Sequence, residues 1–530
     1  MMPPGGDGRA RPWHRGRVLD LTAARILARS GLLRPTRPDR LLGMALAVAR
    51  WGVTPATGYA AGAARHPDRV ALIDDDGPLT WRDVDCRTDR IAGELSARGV
   101  RDGDVAGLLA RNGRGFVEAA VALAKCGADV IYLNTGSSAP QLAEILDREQ
   151  AQTLVHDPGF ADAVGPAARG RRVLTTAEVD GWAAAPGPGA PPKPSHTSRQ
   201  VILTSGTTGA PRGAARGGAS VDDAVAVLSS LPMRAGETTV IAAPLFHAWG
   251  LGHLSLGLLL GSTAVVTERF DAARVLALVQ EHLATALVVV PVMLDRLLEA
   301  DPSRYDLSSL RVIATSGSAL PGDLASRTLA AFGPVLYNLY GSTEVAYAAV
   351  AGPEDLTADP TTAGRPPHGV TLRVVDDDGA DVPVGEVGRI FVGSGLAFAG
   401  YTDGSDKDRL GDLVSTGDLG RMDPNGRLTV LGRSDDMVVV GGENVMLGAV
   451  EDALLRHHLV ADAAVVGEQH ASFGIMLVAF VVASGAVTEQ ELKDHVGGLL
   501  ARYAVPREVH LVDALPRNAT GKVVRRELFR

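Results

Sequence analysis

Cysteine is nearly absent: Cys86 and Cys126 are the only two in 530 residues, far apart and outside any metal-ligand spacing. That excludes a disulfide framework and a cysteine-held zinc site, and it fits a reducing cytoplasm. Positive charge is also short, since 52 Lys and Arg residues face 61 Asp and Glu and leave a net charge of −9. This balance gives no whole-chain attraction for nucleic acid or anionic lipid. No segment reaches the roughly 18 to 20 apolar residues that a membrane-spanning helix needs. The nearest, Leu254 to Val266, is broken by Gly257 and Gly261. Lysine is scarce among the basic residues, occurring only at 125, 193, 407, 493 and 522. Where arginine fills nearly every basic position, a surviving lysine suggests a place where a compact ammonium serves better than a planar guanidinium.

What is present reads as a soluble globular protein, with 46% hydrophobic and 21% charged residues. The length exceeds one ordinary core and predicts two or more domains. The first fifty residues hold ten arginines, Arg9 to Arg50, against Asp7, Asp20 and Asp39. They lack the continuous apolar core that an export signal places before its cleavage site. Residues 1–57 therefore read as a basic helical lead-in packed on the main domain. Weak peripheral contact with a membrane surface is the second reading.

"VALIDDDGPLTWRDV" (70–84) predicts two short strands around an Asp-Gly turn, then a helix to about Arg98. From Asp104 the pattern alternates strand, helix, strand, the unit of a parallel sheet, and it recurs through "VILTS", "TTVIAA", "ALVVVP" and "LRVIAT". "AAAPGPGAPPKPSHTS" (183–198) reads as a flexible surface connector. Beyond Gly364, short strands with turns such as "DPNGRL" predict an antiparallel sheet or barrel, and the polar break "GRSDD" (432–436) marks a boundary before a last mixed segment. The expected fold class is α/β: a large domain (58–434) with parallel α/β sheets and an antiparallel β subdomain, and a small mobile α+β domain (435–530).

Several separated stretches carry the chemistry. "LTSGTTGAPRG" (203–213) sets hydroxyls and glycines behind an apolar run, a pattern that offers backbone N–H groups to an anion. It is not the common nucleotide loop, which needs four residues between its glycines and then Gly-Lys-Ser/Thr. Further along stand "YGSTE" (340–344), "STGDLG" (415–420), "GRSDDMVVVGGENV" (432–445) and "LPRNATGK" (515–522). Each alone is weak, because Gly/Ser/Thr runs mostly make turns. Their joint occurrence in this order is specific.

With these motifs, and with "PLFHAWG" (244–250) and "ATSGSAL" (314–320), the chain from about Gly58 onward resembles the adenylate-forming superfamily of acyl-CoA synthetases, luciferases and nonribosomal adenylation domains. Its texture is most similar to bacterial fatty-acyl-CoA synthetases, chiefly in "LYGSTEVA" and "PRNATGKVVRREL". The resemblance implies ATP and Mg²⁺ as cofactors, an acid as substrate and CoA as co-substrate. It implies that Thr204, Ser205, Gly206, Thr207, Thr208 and Gly209 hold the outer phosphates, with Arg212 adding positive charge where many relatives have lysine. Ser318 and Ala319 would wall the adenine and acyl sites, Tyr340 would stack on adenine, and Gly341 and Ser342 would belong to the same nucleotide site. Thr343 would contact the α-phosphate and Glu344 would help hold Mg²⁺. Asp418 would bind the ribose hydroxyls with Arg433 in support, and His247 would stand between acyl pocket and carboxylate. Lys522 would bridge the α-phosphate and the attacking oxygen, and Asp435 would be the hinge by which it is later withdrawn.

Taken singly, Glu344 reads as a helix-start carboxylate, Asp418 as a turn residue, Lys522 as a solvated lysine and His247 as a packed histidine. Departures from the family pattern gather on the small domain: Leu447 for proline, Ala449 for glutamate, Ile475 for a polar residue and Ala504 for lysine. They make an amine acceptor the alternative to CoA, for instance in an ATP-dependent diazotase that activates nitrite. A non-catalytic nucleotide binder conflicts with the intact Thr343, Glu344, Asp418, Arg433 and Lys522. A serine hydrolase conflicts with the lack of any Gly-x-Ser-x-Gly elbow.

Overall fold

The computed structural model describes residues 21–203, 213–216, 221–395, 400–402, 406–440, 443–470, 474–518 and 521–529. Thr204, Ser205, Gly206, Thr207, Thr208, Gly209 and Arg212 lie outside the described residues.

Three helices open the described chain: α1 (Leu21–Arg29), α2 (Pro38–Trp51) and α3 (Pro55–Arg65). Pro38 and Pro55 stand in first turns, where a missing N–H breaks no helical bond. Ala23 and Leu27 of α1 pack on Val225, and α2 packs along α3. From Leu21 to Arg65 the chain is therefore helical and packed on the rest of the described structure.

Two sheets of mostly parallel strands share the main core. The six-stranded one ends in the edge strand Gly213–Arg216, which pairs antiparallel with β1 (Gln200–Leu203). The buried helices Trp81–Ala97 and Arg114–Lys125 contribute to that core. Lys125 is fully buried there and reaches Asp85 at 2.7 Å and Asp89 at 2.6 Å, so this scarce lysine is structural. The connector 183–198, expected to be a flexible loop, is tied at its far end. Ser195 N–H donates to Asp102 at 2.8 Å, His196 meets Asp129 at 2.7 Å and Ser198 Oγ donates to the Ala128 carbonyl at 2.5 Å.

The eight-stranded sheet matters most for chemistry. Its parallel strands include Thr238–Ile241, Ala286–Val289, β2 (Val312–Thr315) and β3 (Leu336–Ser342). Between the first two in sequence runs α4 (Ala248–Leu260), with His247 at its N-cap. The carboxyl ends of these neighbouring strands deliver His247, Val290 to Met293, Ser316 to Ala319 and Thr343–Glu344 to one edge. That is the edge at which open α/β sheets bind ligands. After β3 the chain folds back as β4 (Ala346–Ala351), antiparallel to it.

The expected antiparallel sheet follows, with five strands that include β5 (Leu413–Met422) and β6 (Leu428–Arg433). A fourth sheet begins at β7 (Met437–Val440), and α5 (Leu447–Leu455) packs on it. The buried residues of its two cores all come from Val445 onward. Between β6 and β7 lies the single 3₁₀ turn Ser434–Asp436, where Ser434 Oγ donates to the Gly417 carbonyl at 2.9 Å.

Candidate active site

"YGSTE" occupies the β3–β4 hairpin. The register shifts between Tyr340 and Gly341, and a Cβ on Gly341 would come within 1.7 Å of the Ala346 carbonyl oxygen. Only glycine fits that crossing. The tight turn sends Glu344 inward, so Glu344 sits in a hairpin and is no helix-start residue. Glu344 is buried, its N–H bonded to Ser342 Oγ at 3.2 Å. The Tyr401 hydroxyl donates to its Oε1 at 2.6 Å. Burial opposes ionisation of Glu344, but the hydrogen bonds from Tyr401 and Ser342 and the charge of Lys407 outweigh it and hold the carboxyl below its usual value.

Asp418 lies within β5 directly opposite Arg433 of β6, so it is a strand residue and not a turn residue. The Tyr340 hydroxyl donates to its Oδ2, which ties the hairpin to the antiparallel sheet. Arg433 donates to the Thr416 carbonyl at 3.0 Å and stands 3.6 Å from Asp418 Oδ1. Thr416 Oγ1 accepts the Asp418 N–H at 3.1 Å. Burial raises the Asp418 pKa, opposed by the Tyr340 bond and by Arg433, Lys407 and Lys522. Burial and the Asp418 charge hold the Tyr340 phenol well above its ordinary value, so it remains a donor.

Lys522 is carried on a pinned turn. Arg517 anchors the turn to Asp462 at 2.6 Å, Asn518 N–H donates to the Lys522 carbonyl at 2.9 Å, and Asn518 Oδ1 accepts the Lys522 N–H at 2.9 Å. Gly521 has φ +79°, and a Cβ there would lie 2.9 Å from Val292 Cγ1 on the large sheet's helix Pro291–Glu299. The turn therefore presses against the ligand-binding edge. Lys522 remains reachable from solvent while protein surrounds much of it. Enclosure lowers its pKa together with Arg433, against Asp418 and Glu344, which raise it. His247 lies within electrostatic reach of the same ammonium. Its Nε2 is buried without a hydrogen-bond partner among the described residues, and burial, aided by Lys522, pulls its pKa down to about 4. The ring is neutral at working pH.

The structure thus brings together Tyr340, Gly341, Ser342, Thr343, Glu344, Asp418, Arg433, His247 and Lys522. Ser318 and Ala319 follow β2 at the same edge. Tyr401, Lys407 and Thr416 were not singled out as site residues from the sequence. The signals available were Lys407's place among five lysines and Thr416's place in "STGDLG" two residues before Asp418. Of the departures, Leu447 and Ala504 are buried in the small sheet's core, whereas Ala449 is exposed and Ile475 is partly covered.

Tyr340 and Glu344 of the eight-stranded sheet, Asp418 and Arg433 of the antiparallel sheet and Lys522 of the last turn thus gather at one place, as an AMP-forming acid ligase requires. The chain belongs to the AMP-binding enzyme family, whose model matches residues 59–402, with the family's C-terminal domain matching residues 449–522. It is 32% identical to the 2-succinylbenzoate–CoA ligase of Bacillus licheniformis over 87% of this chain and 97% of that one. The Bacillus subtilis o-succinylbenzoate CoA synthetase, solved with its acyl-adenylate intermediate, superposes with a TM-score of 0.81 at 28% identity, covering 89% of this chain and 98% of that one. An anthranilate CoA ligase with anthranoyl-AMP gives a TM-score of 0.80 at 27% identity, covering 90% and 96% of the two chains.

Proposed function

We propose that the protein is an ATP- and Mg²⁺-dependent ligase that activates a carboxylic acid as its AMP anhydride and then transfers the acyl group to CoA. The observation that carries this reading is the placement of Lys522 among Asp418, Glu344, Arg433 and His247. Two anions, a carboxylate and a triphosphate, must meet before pyrophosphate can leave. Lys522 offers a point charge between them, and Thr343, next to Glu344 in the hairpin turn, would receive the α-phosphate. Asp418 accepts hydrogen bonds from the ribose hydroxyls, with Arg433 and Tyr340 fixing its orientation. Neutral His247 directs an unpaired Nε2 at the acid without adding a charge that would bind the carboxylate too tightly. Residues 204–212 follow β1 and would hold the outer phosphates.

Glu344 suits Mg²⁺. The Tyr401 hydroxyl orients Oε1, and the hydrogen bonds and the nearby Lys407 charge keep this single carboxyl ionised. That matches an ion held by one carboxylate plus substrate phosphates. When bound, the ion would neutralise charge on the departing pyrophosphate.

Two relatives are named for aromatic acids and CoA, and a structure of the B. subtilis synthetase (TM-score 0.80, 28% identity) holds ATP and magnesium. Aromatic carboxylic acids are therefore the first substrates to test, ahead of the fatty acids suggested by sequence texture. The amine-acceptor alternative is not favoured: the named relatives transfer to CoA, and Leu447 and Ala504 face the small domain's own core. Asp435, in the turn between β6 and β7, is the proposed hinge for withdrawing Lys522 before transfer. The test is to supply ATP, Mg²⁺, CoA and a panel of aromatic, short-chain and fatty acids, and to identify thioesters by mass spectrometry. A thioester formed with one acid class supports the reading. AMP release that requires an amine and ignores CoA would replace it.

A further inference from the structure

α2 is apolar on its outer face, where a surface helix normally carries charge. Ala47 and Trp51 point inward and are buried. On the other side Leu41, Leu42, Leu46 and Val48 are 50%, 62%, 61% and 49% exposed. Exposed Ala45 and Ala49 fill the spacing between them, and exposed Leu33 and Val53 extend the apolar surface beyond both ends. The one charge on this face is Asp39, which Arg37 neutralises at 3.1 Å. Arg34, Arg37 and Arg50 stand exposed at the ends of the helix, and Arg25 and Arg29 are exposed on α1. A contiguous apolar face of this size marks an interaction surface.

We propose that this face docks on an anionic lipid surface, with the leucines entering the acyl boundary and the arginines pairing with headgroups. The charge pattern selects the occupant. A two-fold contact with a second copy would oppose two identical arginine rims. Residues 1–20 are no better, since they bring Arg9, Arg11, Arg15 and Arg17. Ten arginines against three aspartates in the first fifty residues contrast with a chain net charge of −9, so the attraction is local and would orient the molecule. α2 packs on α3, and α3 packs on α4, the helix that begins beside His247. Docking would hold that helix near the bilayer. The segment lies ahead of the region matched by the family model, and the proposal does not depend on which acid is activated.

The full chain is tested by sedimentation with phosphatidylcholine vesicles, with or without roughly 30% phosphatidylglycerol. We expect at least tenfold stronger binding to the anionic vesicles, weakened as salt rises from about 0.1 to about 0.5 M. Leu42→Glu with Leu46→Glu, and separately Arg34→Glu with Arg37→Glu, should each weaken binding about tenfold or more while leaving the melting temperature unchanged. If the leucine variant fails to fold, the arginine variant, which changes only exposed residues, decides. Equal binding to neutral and anionic vesicles, or undiminished binding by the folded variants, overturns the proposal. So does a wild-type dimer that Leu42→Glu with Leu46→Glu converts to a monomer, because that assigns the face to a second copy. Binding lost on deletion of residues 1–20 but kept by both variants would also overturn it.

Discussion

Tyr401 donates a hydrogen bond to Glu344 Oε1 at 2.6 Å, joining a connection between strands of the antiparallel sheet to the hairpin of the eight-stranded sheet. The bond favours the ionised carboxylate. Tyr401→Phe should therefore raise the Glu344 pKa, moving the acid limb of the adenylation pH profile to higher pH. The Mg²⁺ concentration for half-maximal rate should rise, by about tenfold if the bond contributes about 1.5 kcal/mol. Pyrophosphate release measured across pH and Mg²⁺ checks both. A profile that does not move would separate Glu344 from the reaction.

Lys522 should be needed for chemistry and nearly irrelevant to folding, because its turn is held by Arg517 and Asn518. Lys522→Ala should lower the adenylation rate by about 100-fold or more with an unchanged melting temperature. Lys522→Arg should recover little, since a planar fork replaces a point charge. Asn518→Ala should lower the rate with the lysine still present.

Acid should weaken the fold through histidines that are buried neutral. His253 in α4 is buried, with Nδ1 bonded to the Trp249 carbonyl at 3.0 Å and Nε2 without a partner among the described residues, and burial lowers its pKa to about 4. The folded pKa lies below the unfolded one, so between pH 6.5 and about 4 the unfolded chain binds the extra proton. Stability therefore falls as pH drops through that window, by up to about 3 kcal/mol from this residue. His253→Phe, which keeps a ring against Trp249, should flatten the decline in denaturant midpoint over that range.

Ala504 sits in a packed core, so restoring the family's lysine there should not restore a CoA contact. Ala504→Lys should destabilise the small domain by about 2 kcal/mol through overpacking and a desolvated charge. Its KM for CoA should not improve. An improved KM without loss of stability would mean that the side chain reaches an acceptor.

The architecture was legible where hydrophobic pattern and turn chemistry agreed. Alternating apolar runs announced the parallel strands, and "DPNGRL" announced the β5–β6 turn, where Asp423 accepts from the Asn425 and Arg427 N–H groups. Local reasoning failed where the long-range partner decides. Glu344 and Asp418 read singly as cap and turn residues, because nothing nearby reveals Tyr401 or the register that faces Asp418 with Arg433. The connector 183–198 looked free because Asp102 and Asp129, which anchor it, lie far away in sequence. Leu447 and Ala504 looked like losses from a binding face because burial cannot be read from motif position alone.

The most direct measurement is acid-dependent exchange of labelled pyrophosphate into ATP, comparing the wild-type chain with Lys522→Ala over aromatic and fatty acids. The account predicts exchange that needs both Mg²⁺ and a carboxylic acid, is strong in the wild type and is reduced at least about 100-fold in Lys522→Ala. Exchange of equal strength in the two proteins, or exchange that needs no acid, would contradict it.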